Sequence, residues 1–163
     1  MPDRSQFPFP LDLRSIYDKD GYRVPRHAMV GSLFVFVSQV LGRVEVEVGF
    51  DTDFASVPRA LWALFPPDAE YTEAAVIHDS EYWKQRYTRE QADALLLEGM
   101  EALGVGWFTR HTIHSQVRMW GWMAWNANAK RKAAEGSPQI APVETAPYIP
   151  KMPASPKFHK NRR

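Results

Sequence analysis

Hydrophobic residues recur with two different periods along this chain. In the first third they tend to alternate with polar residues, as in strands, and after residue 70 they recur every three to four residues, as in helices. Three segments of the first third combine β-branched and aromatic residues with partial alternation, which is typical of strands. They are LDLRSIY at 11–17, SLFVFVSQV at 32–40 and RVEVEVGF at 43–50. In the last segment the alternation is strict, so Val44, Val46 and Val48 are expected on one face of a half-exposed antiparallel strand. Glycines stand where turns are expected, at Gly21, Gly31 and Gly42.

Three longer helices are predicted downstream of the strands. They cover about residues 72–84, 89–103 and 107–134. A short helix, RALWALF at 59–65, precedes them between prolines. Thr72 is the expected N-cap of the first long helix, Thr88 and Gln91 form a capping box for the second, and Gly104 ends it.

The last helix carries an apolar stripe that is expected to face the core. Its members are Ile113, Val117, Trp120, Ala124 and Ala127. Strands followed by helices predict an α+β fold: an N-terminal antiparallel β-sheet and then a three-helix C-terminal half.

Charge divides the chain into an acidic body and a basic C-terminal segment. The net charge of +1 combines −5 over residues 1–128 with +6 over residues 129–163. Six of the 13 prolines lie between positions 138 and 156, and such a segment cannot build a core of its own. We therefore predict one globular α+β domain at 1–136 and an extended Pro-rich basic tail at 137–163.

The tail and the tryptophans are the expected contacts to partners. In the tail, Tyr148 and Lys157 are candidate residues for binding other structural proteins, and the alternative is a tail that is only solvated. Trp122 and Trp125 fall off the predicted core stripe, and exposed tryptophans are typical of interfaces. They are expected to contact a partner, and the chain can also form an oligomer; a membrane contact is the alternative.

Composition excludes several function classes. The chain has no cysteine, which excludes a disulfide scaffold, a thiol nucleophile and a cysteine-ligated metal. The N-terminal sequence MPDRSQFPFP lacks the basic and apolar regions of a signal peptide, so none is expected. No apolar stretch approaches the roughly 18 residues of a spanning helix, so the chain is not expected to be transmembrane. No basic face or reader motif is visible, and no nucleic-acid partner is expected.

The stretch AAVIHDSEYWKQRYTREQAD at 74–93 carries the candidate chemistry. His78 and Tyr82 are four residues apart and share a helix face, whereas Asp79 points about 100° away. A short connection near residues 85–88 joins the two predicted helices, and His78 and Asp93 are equally far from its centre. An antiparallel helix pair therefore places them at the same height along the helix axes. A carboxylate on one imidazole nitrogen leaves the other to take a proton from water. The set predicts either a general base, with Tyr82 orienting the carboxylate, or a buried polar network that joins two helices.

The pattern H-D-x-x-Y followed by A-D resembles the catalytic helix pair of phospholipases A2. It is most similar to the disulfide-free type in parvovirus capsid proteins. The matching residues are Ala74, Ala75, His78, Asp79, Tyr82, Ala92 and Asp93. This resemblance implies His78 as the base, Asp93 as its partner and Asp79 as a ligand of Ca²⁺. The chain departs from that family in having no glycine-rich calcium loop upstream.

Carboxylate side chains can provide the cation ligands that the missing calcium loop would otherwise provide. Asp51 or Asp53, together with Asp79, can supply oxygens to Ca²⁺ or another divalent cation. The alternative is that Asp53 caps the turn and the following helix. His111 and His114 have a spacing that can ligate zinc, but a solvated helix face is the favoured interpretation.

A longer resemblance covers roughly residues 40–125. The segments GFDTDFASVP, AAVIHD and QAD occur in the order and spacing of a family of small bacteriophage and prophage proteins of unknown function. It implies a phage gene product, located in the virion or the host cytoplasm. Together the resemblances imply a virion- or tail-associated protein with a metal-assisted hydrolase site for lipid or cell-envelope esters. The alternative is a non-catalytic structural or assembly component of the particle, anchored by its C-terminal tail.

Overall fold

Antiparallel strands form the N-terminal part of the computed structural model, which describes residues 4–18, 20–52 and 70–135. A 3-10 turn at Arg4–Gln6 precedes them. The strands are β1 Leu13–Tyr17, β2 Arg23–Val30, β3 Phe34–Ser38, β4 Gly42–Val46 and β5 Asp51–Thr52. They form one sheet in the order β1-β2-β5 and a second sheet of β3 and β4. The helices that follow are α1 Thr72–Lys84, α2 Arg89–Ala102 and α3 Trp107–Glu135. The predicted α+β class, with strands before helices, is confirmed.

The β3-β4 hairpin supplies much of the apolar face under the helices. Phe34 pairs with Val46 and Phe36 pairs with Val44, and all four side chains are fully buried. Gly42 begins β4 with φ of +73°, a conformation that favours glycine. The expectation for Val48 is wrong: the strand ends at Val46, and Val48 lies in the turn beyond it, 54% exposed.

Strand β2 is absent from the sequence-based prediction. Its sequence, RVPRHAMV, contains a proline and lacks a clear alternation, so the local pattern did not indicate a strand. The structure pairs it on both sides: Leu13 of β1 faces Val30, and Asp51 of β5 faces Met29. This segment therefore forms a strand because distant segments pair with it, and not because of its local sequence pattern.

Helix α1 lies at the centre of the described structure. Its ten residues from Ala74 to Trp83 are all buried, because α2, α3, β4 and β5 contact it from different sides. The predicted bounds of 72–84 are confirmed, but the N-cap is Tyr71 and not Thr72. The helix ends at Lys84 and its C-cap is Gln85, which has a left-handed backbone with φ of +52° and donates its N–H to the Glu81 carbonyl.

Helix α2 begins at the predicted capping box and holds the β3-β4 hairpin. Thr88 Oγ1 accepts from the Gln91 N–H, and Gln91 Oε1 accepts from the Thr88 N–H. Further along α2, the Glu98 carboxylate accepts from Gln6 Nε2 at 2.6 Å and from Ser38 Oγ at 2.7 Å. It also accepts from a backbone N–H of the hairpin turn at 2.7 Å. One side chain thereby connects the helices to the N-terminal strands.

Helix α3 packs on α1 and α2 along a different stripe from the predicted one. Ile113 and Val117 are fully buried as expected, but Trp120 is 47% exposed and Ala127 is also exposed, so the expectation for those two is wrong. Gly121 is buried in their place. None of the helices that the structure describes is long and apolar enough to cross a membrane. The predicted helix at 59–65 and the tail at 137–163 lie outside the described residues.

Candidate functional site

The helix pair brings His78, Tyr82 and Asp93 together, as the spacing on either side of the reversal predicts. His78 and Tyr82 lie one turn apart on α1, and Asp93 faces them from α2. His78 Nε2 is 3.1 Å from Asp93 Oδ1, and the Tyr82 hydroxyl donates to the same oxygen at 2.5 Å. His78 and Asp93 are fully buried, and Tyr82 is 1% exposed. The polar set therefore lies inside the helical core.

Two arginines that the sequence analysis missed bind the other carboxylate oxygen. Arg89 Nη1 and Arg118 Nη1 each donate to Asp93 Oδ2 at 3.1 Å. Arg89 lies four residues before Asp93 on α2, and that spacing was a usable sequence signal. Arg118 comes from α3, 25 residues further along the chain, and no local pattern points to it. Asp93 thus receives donors from three helices.

The surroundings keep Asp93 ionised. Burial alone would raise the pKa of its carboxyl group, but hydrogen bonds from His78 and Tyr82, together with Arg118, outweigh burial and lower the pKa below its ordinary value. For Tyr82, burial and the hydrogen bond to Asp93 both raise the pKa of the phenol well above its ordinary value. Tyr82 is therefore a permanent hydrogen-bond donor at neutral pH and orients the carboxylate.

The second ring nitrogen of His78, Nδ1, is the candidate base among these polar side chains. Nδ1 is buried and has no hydrogen-bond partner among the residues that the structure describes. Asp93, as a carboxylate, favours the tautomer with the proton on Nε2. Nδ1 then carries a lone pair that can accept a proton from water or from a substrate hydroxyl, and the imidazolium that forms is stabilised by Asp93.

Close packing fixes the phenol of Tyr82. A Cβ atom added at Gly121 of α3 would lie 2.3 Å from the Tyr82 hydroxyl oxygen, so the phenol fits only because this position has no side chain. The Tyr82 ring also contacts the His78 ring at a centroid distance of 4.0 Å. Its other neighbour is Trp125, edge-on at 5.2 Å.

The predicted partner residues have different surroundings. Trp125 is partly buried against the core, whereas Trp122 is 52% exposed. Trp122 remains a candidate contact residue, and Trp125 packs beside the polar set. Tyr148 and Lys157 lie outside the described residues.

Two of the three predicted cation ligands, Asp79 and Asp51, lie where α1 contacts β5. Asp79 is 8% exposed, and its Oδ2 accepts from Thr52 Oγ1 at 2.6 Å, which joins α1 to β5. Asp51 precedes Thr52 in β5, and Asp53 lies outside the described residues. Within residues 4–18, 20–52 and 70–135, no group of three or more His, Asp or Glu side chains is arranged to hold a metal ion.

A family model described as "Protein of unknown function (DUF1353)" matches residues 29–117, just over half of the chain. This chain belongs to the DUF1353 family. The match runs from the end of β2 into α3, so it includes His78, Tyr82, Arg89 and Asp93. Arg118 follows the DUF1353 match by one residue. No curated protein and no solved structure matches the chain.

Proposed function

We propose that this DUF1353 protein is a hydrolase in which His78 activates water for attack on an ester of lipid or cell-envelope material. One observation carries the proposal: Nε2 of His78 lies on a buried carboxylate while Nδ1 has no partner among the described residues. A histidine that only joined two helices would not need a second nitrogen left without a partner in the interior, because a buried polar atom without a hydrogen bond is costly.

The proposed reaction assigns one task to each residue. Nδ1 of His78 removes a proton from water as the oxygen attacks the ester carbonyl, and later returns that proton to the leaving alkoxide. Asp93 stabilises the imidazolium between these two steps. Tyr82, Arg89 and Arg118 hold the carboxylate in one orientation, so that Oδ1 remains on the ring nitrogen.

The proposal includes a divalent cation, which Asp79 and other nearby carboxylates would bind. Asp79 and Asp51 have the donor chemistry that Ca²⁺ prefers, and Asp53 is the third proposed ligand. When bound, the cation would polarise the ester carbonyl as a Lewis acid. The Asp79 carboxylate is compatible with this role because each of its oxygens can accept more than one contact, in addition to the bond from Thr52.

We also propose a phage origin and association with the particle. The support is the resemblance of GFDTDFASVP, AAVIHD and QAD to small bacteriophage and prophage proteins.

A second candidate function follows from the number of hydrogen bonds that the Asp93 carboxylate accepts. Its two oxygens receive contacts from His78, Tyr82 and two arginines in the interior, which is the arrangement of a polar clamp between helices. In that case the protein is a non-catalytic component of the particle, attached through its tail at 137–163.

Substitution of His78 by asparagine separates the two candidates. We expect His78→Asn to lower hydrolysis of short-chain phospholipid and p-nitrophenyl esters at least about 100-fold, because a general base contributes that much or more. Hydrolysis is measured with added Ca²⁺ and again with a chelator, and thermal unfolding is recorded for the same samples. The cation proposal predicts that the chelator abolishes hydrolysis.

The matched control is His111→Asn, which changes a half-buried histidine of α3 whose ring contacts Trp107 at a centroid distance of 4.6 Å. We expect it to leave hydrolysis unchanged. A folded His78→Asn protein that hydrolyses esters as fast as the natural chain would refute the assignment of the base. An inactive natural chain, with a large loss of stability in His78→Asn, would favour the clamp.

A further inference from the structure

Two arginines connect the buried Asp93 to the protein surface. Arg118 and Arg89 each bind Asp93 Oδ2, and Arg89 Nη1 also donates to the Arg118 backbone carbonyl at 3.2 Å. The side chain of Arg118 is 37% exposed and that of Arg89 is 19% exposed. Because a guanidinium carries five N–H donors, the contacts to Asp93 leave donors for a second acceptor nearer to solvent.

The second acceptor is a carboxylate of the chain itself. Glu90 is 61% exposed, and its Oε1 lies 3.5 Å from Arg118 Nη1 and 3.7 Å from Arg89 Nη2. Both distances are longer than the 3.1 Å contacts to Asp93. Exposed ion pairs of this kind contribute little to stability, because water and salt compete for both partners. Glu90 is therefore easily displaced.

Apart from Glu90, the charges around Asp93 leave one positive charge for an anion at the surface. The two guanidinium groups carry two positive charges, and the buried carboxylate compensates one of them. Glu90 compensates the other only from a solvent-exposed position. When Glu90 turns away, the outer side of the arginine pair has the charge and the forked donor geometry that carboxylate and phosphate groups bind.

We infer that Arg89 and Arg118 form a subsite for an oxyanion, a carboxylate or a phosphate group, and that Glu90 is its internal competitor. The role of this subsite rests on the proposed function: it would hold the anionic group of an ester substrate while His78 acts on the ester. The same guanidinium groups hold the carboxylate of Asp93, so substrate recognition and orientation of the histidine share two side chains.

His114 provides a reporter for this subsite. It lies one turn before Arg118 on α3 and is half-buried. Burial lowers the pKa of His114, the nearby charge of Asp93 opposes that shift, and the positive charge of Arg118 adds to it. An oxyanion bound at the arginine pair adds a negative charge nearby, which raises the pKa of His114.

Phosphate titration tests the inference without any turnover. Inorganic phosphate is added to the full chain at constant ionic strength, with sodium chloride as the replaced salt, and acetate is titrated in a second series. Nuclear magnetic resonance follows the His114 ring and the amides of residues 89–93 and 114–118. We expect saturable shifts and a rise in the pKa of His114. Phosphate should bind about fivefold tighter in Glu90→Gln and at least about tenfold weaker in Arg118→Gln.

The matched control is Glu101→Gln. Glu101 is a 66% exposed residue at the opposite end of α2, and it pairs with Arg110 of α3 at 3.2 Å. We expect it to bind phosphate like the natural chain. Equal phosphate affinity in Glu90→Gln and the natural chain would overturn the inference, and so would shifts that do not saturate. Glu90→Gln keeps the test decisive if Arg118→Gln unfolds, because Glu90 is at the surface.

The outcomes also separate this inference from the proposed function. Saturable phosphate binding in a chain that hydrolyses no ester would support the subsite and reject the hydrolase. Hydrolysis that requires His78, without any phosphate or acetate binding, would reject the subsite and support the hydrolase. A preference for phosphate over acetate would support a tetrahedral oxyanion as the ligand, and the reverse preference a carboxylate.

Discussion

Asp93 shows how a single buried charge can be stable in a helical core. Its two oxygens are divided between two kinds of partner: His78 and Tyr82 on Oδ1, and Arg89 and Arg118 on Oδ2. Removal of one partner leaves the buried carboxylate with fewer compensating contacts, which is destabilising. The residues around Asp93 therefore contribute to stability whether or not they contribute to a reaction.

Gly121 is the residue at which steric effects should be largest. In a helix, replacement of glycine by alanine usually stabilises by about 1 kcal/mol. We expect the opposite sign for Gly121→Ala, a loss of about 1–3 kcal/mol, because the new Cβ would lie 2.3 Å from the Tyr82 hydroxyl. Urea unfolding followed by circular dichroism measures the free energy of unfolding.

The control for this prediction is the same change made in a Tyr82→Phe background. Without the hydroxyl the 2.3 Å contact is absent and the nearest ring atom is Cζ at 3.3 Å, so Gly121→Ala should then cost much less. Additive effects of the two substitutions would contradict the steric explanation, since residues in contact are expected to be coupled.

At the residue scale, neighbours that follow from helix geometry could be predicted from the sequence, whereas neighbours that depend on tertiary packing could not. His78, Tyr82 and Asp93 could be placed together because two helices and a short reversal fix their heights. Arg118 could not be placed, since its contact depends on how α3 crosses α2. Trp120 was assigned to the core from helical spacing alone, but α3 turns that residue toward solvent.

Among the elements, the helices were far more predictable than the strands. The ends of α1 and α2 were predicted to within about two residues, and at α2 the capping box and Gly104 are signals that act locally. Strand β2 had no such signal and forms only because β1 and β5 pair with it. The two-residue strand β5 is too short for any alternation to be visible.

The start of α2 allows a direct test of a local signal. Thr88→Ala removes the side chain that accepts from the Gln91 N–H, so we expect a loss of about 1 kcal/mol in the free energy of unfolding. Thr88→Ser keeps the hydroxyl group and should cost only a small part of that. If thermal or urea unfolding gives the same stability for the alanine and serine variants, the capping box does not stabilise this helix start.

At the scale of the whole molecule, one ionised group links three helices, and stability should therefore depend on pH. The contacts of Asp93 lower its pKa in the folded state below the ordinary value of 3.8. A carboxyl group with a lowered folded pKa stabilises the protein fully above its unfolded pKa. That stabilisation is lost as pH falls through the folded pKa. We expect the free energy of unfolding to decrease below about pH 4.

Urea unfolding at a series of pH values between about 2 and 6 measures this dependence. Asp93→Asn has no carboxyl group at this position, so its curve should be flatter in the acidic range, although the variant is less stable overall. Carbon-13 shifts of the Asp93 carboxyl group give its pKa directly in the natural chain. A measured pKa above 3.8 would contradict the prediction, because burial would then outweigh the hydrogen bonds.

The arginine pair also has a consequence for the electric field inside the protein. Charges of alternating sign follow one another from the core to the solvent: Asp93 is fully buried, Arg118 is 37% exposed and Glu90 is 61% exposed. Each charge is within 4 Å of the next, so a change of charge at the outer end acts on the inner end with less screening than in bulk water. An ion that arrives at the surface therefore changes the electrostatic potential at the buried ring of His78.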